Sequence, residues 1–176
     1  MTPTPSTEPK NDRAAARELA LLVLCHLESY PAHERAAAVG LVFEHPPRAE
    51  ASDVGGEELG RLFAQRKLQR RAEASVAHVL EHAESIDAAV ADTSRRWSLA
   101  RMLVTDRNVI RLATAELLYV PDSPRRVVVA EAVRLATRYG SERSGPFVNA
   151  VVEQLATRLR PRASTPGASA DDVDAG

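Results

Sequence analysis

The chain has 176 residues, of which 44% are hydrophobic and 27% charged, and 23 Lys and Arg against 24 Asp and Glu leave a formal net charge of -1. That length supports one ordinary core, and near-neutrality argues against a general electrostatic affinity for nucleic acid, so any such site must be a local patch. Cys25 as the lone cysteine excludes an internal disulfide and an all-cysteine zinc site, and no apolar run approaches the ~20 residues that span a bilayer, so membrane insertion and export are not expected.

Glycine is scarce and runs alternating apolar with polar residues are lacking, which predicts an all-helical protein. Residues 1–11 carry three prolines and almost no apolar side chains and read as a disordered arm. A first helix follows, with Asp12 placed to cap and Ala16, Leu19, Ala20, Val23, Leu24 and Leu27 on one face. Leu21, Leu22 and Cys25 occupy its opposite side, and a helix apolar all round is expected to be buried on most sides. Arg13 and Arg17, one turn apart and beside Lys10, make a small basic spot. Pro31 ends this region, and His33 to Glu44 reads as a short second helix with Ala37, Leu41 and Val42 inward. The stretch HPPRAEASDVGG, from His45 to Gly56, is a surface loop.

Glu57 and Glu58 favour a helix start, and Leu59, Leu62 and Phe63 share a side. The basic run RKLQRR, Arg66 to Arg71, reads as a solvated face. One long helix is predicted to continue through Val76, Val79, Leu80, Ala83, Ile86 and Val90. Its other face carries HVLEH, His78 to His82, a literal match to the inverted zinc-protease pattern. Zinc catalysis also needs a third protein ligand further along, a pocket and an open coordination position. The expectation is therefore an ordinary solvated face.

Trp97 reads as core. Thr105 or Asp106 can cap the next helix, whose Val109, Ile110, Ala113, Leu117 and Leu118 face inward. VPDSP stops it, with Ser123 as a cap and Pro124 in the first turn of the helix that follows. Val128, Val129, Ala132, Val133, Ala136 and Tyr139 recur at helical spacing, and Phe147, Val148, Val151, Val152 and Leu155 resume the period. Between them Gly140 is expected to close the first helix in the left-handed conformation, with Ser141 or Ser144 capping the second. After Arg160, prolines, serines and late aspartates mark a disordered acidic tail, residues 161–176, leaving 12–160 as the helical domain.

ARELA (Ala16 to Ala20), VLEHAESID (Val79 to Asp87), RRWSLARM (Arg95 to Met102), TDRNVIRLATAELLYVPDSP (Thr105 to Pro124), EAVRLATRYG (Glu131 to Gly140) and SGPFVN (Ser144 to Asn149) occur in an order and spacing that resembles the NusB family of transcription antitermination factors, from Asp12 to Leu159. The resemblance implies an all-α fold of two packed helical bundles. It also implies a non-catalytic, cytoplasmic protein without cofactor that pairs with the small-subunit ribosomal protein NusE. The pair would bind the boxA RNA of nascent ribosomal RNA leaders and act within the RNA polymerase antitermination complex.

Carried over residue by residue, the resemblance implies RNA contacts from Lys10, Arg13 and Arg17 and from Glu142, Ser144, Phe147 and Asn149. It implies a partner face at Asp106, Arg107 and Arg111. Ala14 and Ala15 stand where relatives often have arginines, and aromatics often found near Cys25 to Leu27 are missing. That thinning motivates an alternative: a protein-only scaffold of the same fold that binds NusE with weak RNA affinity. A third reading, an enzyme, would need zinc at HVLEH or a nucleotide-binding domain such as RNA cytosine methyltransferases carry, for which the chain leaves no room.

Overall fold

The computed structural model describes residues 11–46, 56–93 and 98–161, so residues 1–10 of the arm, Lys10 among them, residues 162–176 of the tail, most of the 45–56 loop and Trp97 lie outside the described residues. In chain order come α1 (Asp12–Leu27), a 3₁₀ turn (Ala32–Glu34), α2 (Arg35–Glu44), α3 (Gly56–Phe63), α4 (Arg66–Glu81), α5 (Ala83–Thr93), a second 3₁₀ turn (Leu99–Arg101), α6 (Val104–Tyr119), α7 (Arg125–Tyr139) and α8 (Ser144–Leu159). No strand occurs among the described residues, and no described helix is long and apolar enough to cross a membrane.

The helices form two packed bundles that meet along α1 and α6. α1 packs against α4 and α2 in the first, while α6, α7 and α8 pack together in the second with α5 against α6 and α8. Double coverage explains the apolar girth of α1: Leu19, Ala20 and Leu21 are wholly buried, and Leu24 and Leu27 nearly so. Asn11, rather than Asp12, caps this helix, its Oδ1 accepting from the N–H groups of Arg13 and Ala14 at 3.0 Å each. Asp12 takes the first turn, where its carboxylate accepts from Lys67 Nζ of α4 at 2.6 Å.

Several expectations are corrected. α2 buries Ala38, Val39, Val42 and Phe43, while Ala37 and Leu41 face solvent. The long helix breaks into α3, α4 and α5, at extended Gln65 and again at His82, with neither glycine nor proline at either break. α6 begins at Val104 without a side-chain cap from Thr105 or Asp106. Pro124 is the cap residue of α7 rather than its first turn, and the Ser123 hydroxyl donates to Glu116 instead of capping.

The end of α6 is closed by a residue distant in sequence. Arg160, just after α8, donates from Nε to the carbonyl of Leu117, from Nη1 to that of Ser123, and from Nη2 to those of Glu116 and Val120, all at 2.6–2.7 Å. Carbonyls that a helix C-terminus leaves unpaired thus meet one guanidinium.

Candidate nucleic-acid interface

The corner between α7 and α8 is built by close approach. Gly140 has φ -94° and ψ -163°, an extended conformation rather than the expected left-handed one. Glycine is required there because a Cβ would lie 2.4 Å from Cβ and Oγ of Ser144 and 2.6 Å from the carbonyl of Ala136. Ser144 opens α8 rather than capping it. Its buried Oγ accepts from the Ser141 N–H at 2.9 Å and lies 3.1 Å from the Ser141 hydroxyl. Beyond the corner, Val148, Val151, Val152 and Leu155 of α8 join the core that holds Val128, Ala132 and Leu135 of α7.

A buried carboxylate ties this corner to α1. Glu18 is wholly buried; its Oε2 accepts from Arg134 Nη1 at 2.8 Å, and its Oε1 accepts from the Tyr139 hydroxyl and lies 3.0 Å from Arg138 Nε. Arg134 Nη2 also donates to the Ala14 carbonyl at 3.2 Å and reaches Glu131 at 3.3 Å. A buried charge persists when paired and hydrogen-bonded, and here both carboxylate oxygens are met. Burial, then the hydrogen bond and charge of Glu18, push the Tyr139 hydroxyl above its ordinary range, so it remains a donor. The first half of α1 and the last turn of α7 are therefore held side by side.

The sequence-derived residues divide around this clamp. Arg13 is exposed with no side-chain partner among the described residues. Arg17 is not free: Nε and Nη2 form a two-pronged pair with Glu116, the latter at 2.9 Å, with the two side chains 13% and 14% exposed. Burial opposes the charge of Arg17, but the Glu116 hydrogen bonds and charge outweigh it. Ala14 and Ala15 are buried, so those positions serve packing. Glu142 and Asn149 are exposed at the corner, Phe147 is half-buried against the core, and Ser144 supports the corner from inside. The sequence reading passes over Arg143, exposed beside Glu142.

At the start of α6 the expected partner face is a second charged cluster. Arg107 forms a two-pronged pair with Glu28, Arg111 a two-pronged pair with Asp87 at 2.7 and 2.8 Å, and Asn108 Nδ2 donates to Glu28 at 2.8 Å. Burial alone would raise the Glu28 carboxyl, but Arg107, Asn108 and the charge of Arg111 together hold it below its usual value. Asp106 is buried, with Oδ1 enclosed and unpartnered. Leu103 and Val104 are exposed beside it. Cys25 lies under the same cluster, its thiol pushed up to about 11 chiefly by burial, which makes it inert rather than reactive.

The HVLEH segment is not a solvated face. His78 and His82 are partly buried and pack against Tyr119 of α6.

The NusB family model matches residues 14–157. The chain belongs to the NusB family. It is 34% identical over 147 residues to the transcription antitermination protein NusB of Geobacter sulfurreducens, covering 84% of this chain and 95% of that protein. It is 38% identical to the NusB of Anaeromyxobacter dehalogenans, over 72% of this chain and 90% of that one. Among solved structures, T. maritima NusB superposes with a TM-score of 0.50 at 32% identity, over 72% of this chain and 91% of that chain. The solution structure of Aquifex aeolicus NusB gives 0.62 at 24% identity, over 92% and 99%, and a structure of NusB and NusE in complex with dsRNA gives 0.59 at 22%, over 84% and 97%; these two show the shared fold.

The segments that carry the NusB resemblance supply the clamp. Glu18 belongs to ARELA, Arg134, Arg138, Tyr139 and Gly140 to EAVRLATRYG, and Ser144 to SGPFVN. The most recognisable text in this member of the NusB family thus builds the support beneath the exposed residues.

Proposed function

We propose that this chain is a non-catalytic, cytoplasmic transcription antitermination factor that binds boxA RNA of nascent ribosomal RNA leaders together with NusE. The observation that carries the reading is the NusB family match over residues 14–157. The clamp supports an RNA surface: Glu18 joins the basic start of α1 to the α7–α8 corner, so Arg13 can meet phosphate while Phe147 and Asn149, with Glu142 and Arg143 beside them, lie along the same end. Ser144 acts by holding the corner. The α6 start supports a protein surface, where Leu103 and Val104 offer apolar area and Arg107 and Arg111 keep exposed edges beside Asp106. In this reading the fold serves RNA polymerase antitermination through two adaptor surfaces, with no reaction to catalyse.

One observation favours the alternative of a protein-binding scaffold with weak RNA affinity: Arg17 is engaged by Glu116, and Ala14 and Ala15 add no charge. A gel-shift titration with boxA and scrambled RNA, with and without NusE and across salt, separates the two. The proposal expects NusE-enhanced preference for boxA with a negative salt slope. Equal affinity for both RNAs at physiological salt removes it and leaves the scaffold.

A further inference from the structure

We propose that His78, Glu81 and His82 form a binding site for one divalent transition-metal ion, zinc by the chemistry of the donors, at the junction of α4 and α5. Positions i, i+3 and i+4 share one helix face, and the last turn of α4 is kept closed by the His82 N–H donating to the His78 carbonyl at 3.1 Å. One ligand atom from each of the three residues lies within 4.8 Å of the others. Tetrahedral zinc with bonds of about 2.1 Å wants ligand atoms roughly 3.4 Å apart, so a side-chain adjustment of about an ångström closes the site. Two imidazoles and one carboxylate suit zinc and its first-row neighbours, whereas magnesium and calcium prefer all-oxygen sets.

Three further observations point to a ligand. His78 Nε2 is enclosed yet has no hydrogen-bond partner, a position that native proteins rarely leave unmet. Tyr119 stacks on His82 with centroids 4.3 Å apart and meets His78 edge-on at 4.9 Å, so the imidazoles are oriented by packing in advance; its hydroxyl is in turn 2.9 Å from Ser85 Oγ. A cavity of about 250 Å³, bordered by Ser75, His78, Glu116 and Tyr119, opens beside the His78 ring and gives room for water there. Glu81 is the last residue of α4 and His82 its C-terminal cap, so an ion there would staple the unmarked break between α4 and α5.

The test uses the full chain without a histidine tag, loaded with zinc chloride and dialysed. The site expects one zinc per chain by elemental analysis, a Tm rise of roughly 5–10 °C at a hundredfold excess over Kd, and visible bands of four-coordinate cobalt on Co²⁺ substitution. Glu81→Gln, at an exposed position, should leave the zinc-free Tm unchanged and weaken zinc by about tenfold or more, and His78→Gln/His82→Gln should abolish stoichiometric retention. No retained zinc overturns the site. So does equal retention by the parent and the double variant, which would mark adventitious binding elsewhere.

Discussion

Along α1 two carboxylates meet arginines from the second bundle in opposite settings. Glu18, in the first half, is wholly buried, and Arg134 beside it is 5% exposed at its side chain; at the other end Glu28 is 12% exposed and its partners Arg107 and Arg111 are each 19% exposed. The Glu18–Arg134 pair has no surface to offer and can only position the corner, and only Arg138 at its rim, 20% exposed, reaches water. The outer cluster holds its arginines in place while leaving an edge of each to water, as a docking surface requires. Residue type does not separate these roles: Arg13, Arg17, Arg107 and Arg134 look alike in sequence and differ in what already holds them.

The sharpest way to break this contrast is Glu18→Gln, which removes the buried carboxylate that Arg134 and Arg138 share. It should cost about 3–5 kcal/mol in urea unfolding. A loss under about 1 kcal/mol would mean that the inner cluster is not structural. Next comes Gly140→Ala, where a Cβ at 2.4 Å from Ser144 must push α7 and α8 apart. Overpacking of this kind costs about 1–3 kcal/mol and should weaken boxA binding along with stability. Arg17→Ala removes the guanidinium from Glu116, 14% exposed and left with the Ser123 hydroxyl, and should destabilise by about 1–3 kcal/mol. If it lowers RNA affinity while leaving stability untouched, Arg17 belongs with the contacts rather than the scaffold.

The outer cluster has a pH signature. Glu28 is held below its ordinary value of 4.5, so it contributes stability above that pH, and the contribution is lost as pH falls through the lower folded-state value. Unfolding of the parent and Glu28→Gln should therefore differ most at neutral pH and converge in acid; a constant difference would refute the linkage. The smallest stability effect is expected for Arg13→Ala. It should leave unfolding unchanged while reducing the salt slope of RNA binding by about 0.7–0.9, as one phosphate contact would.

Periodicity carried far into this fold wherever one face alone was apolar. Val109, Ile110, Ala113 and Leu117, and then Val128, Val129, Ala132 and Ala136, are buried as their spacing demands. It failed in α2, where nearly every residue of RAAAVGLVFE is apolar and several faces satisfy the same period, so α4 and the rest of the bundle select Ala38 and Val42 over Ala37 and Leu41. The breaks at Gln65 and His82 carry no glycine or proline to mark them. The candidate site was legible in outline through its motifs, and the residence of Glu116 on Arg17, 99 positions away, was not. Long-range pairing of charges leaves no periodic trace.

The latch at Arg160 has a mechanical consequence. One side chain at the end of α8 grips four carbonyls at the end of α6 and in the turn behind it. Tension applied to the C-terminal segment is therefore delivered first to this grip, in shear across several short hydrogen bonds, and only afterwards to the α7–α8 seam. A load pulling from that end would be carried into α6, which bears the Arg107 and Arg111 cluster at its opposite end, while the α7–α8 corner stays outside the line of force.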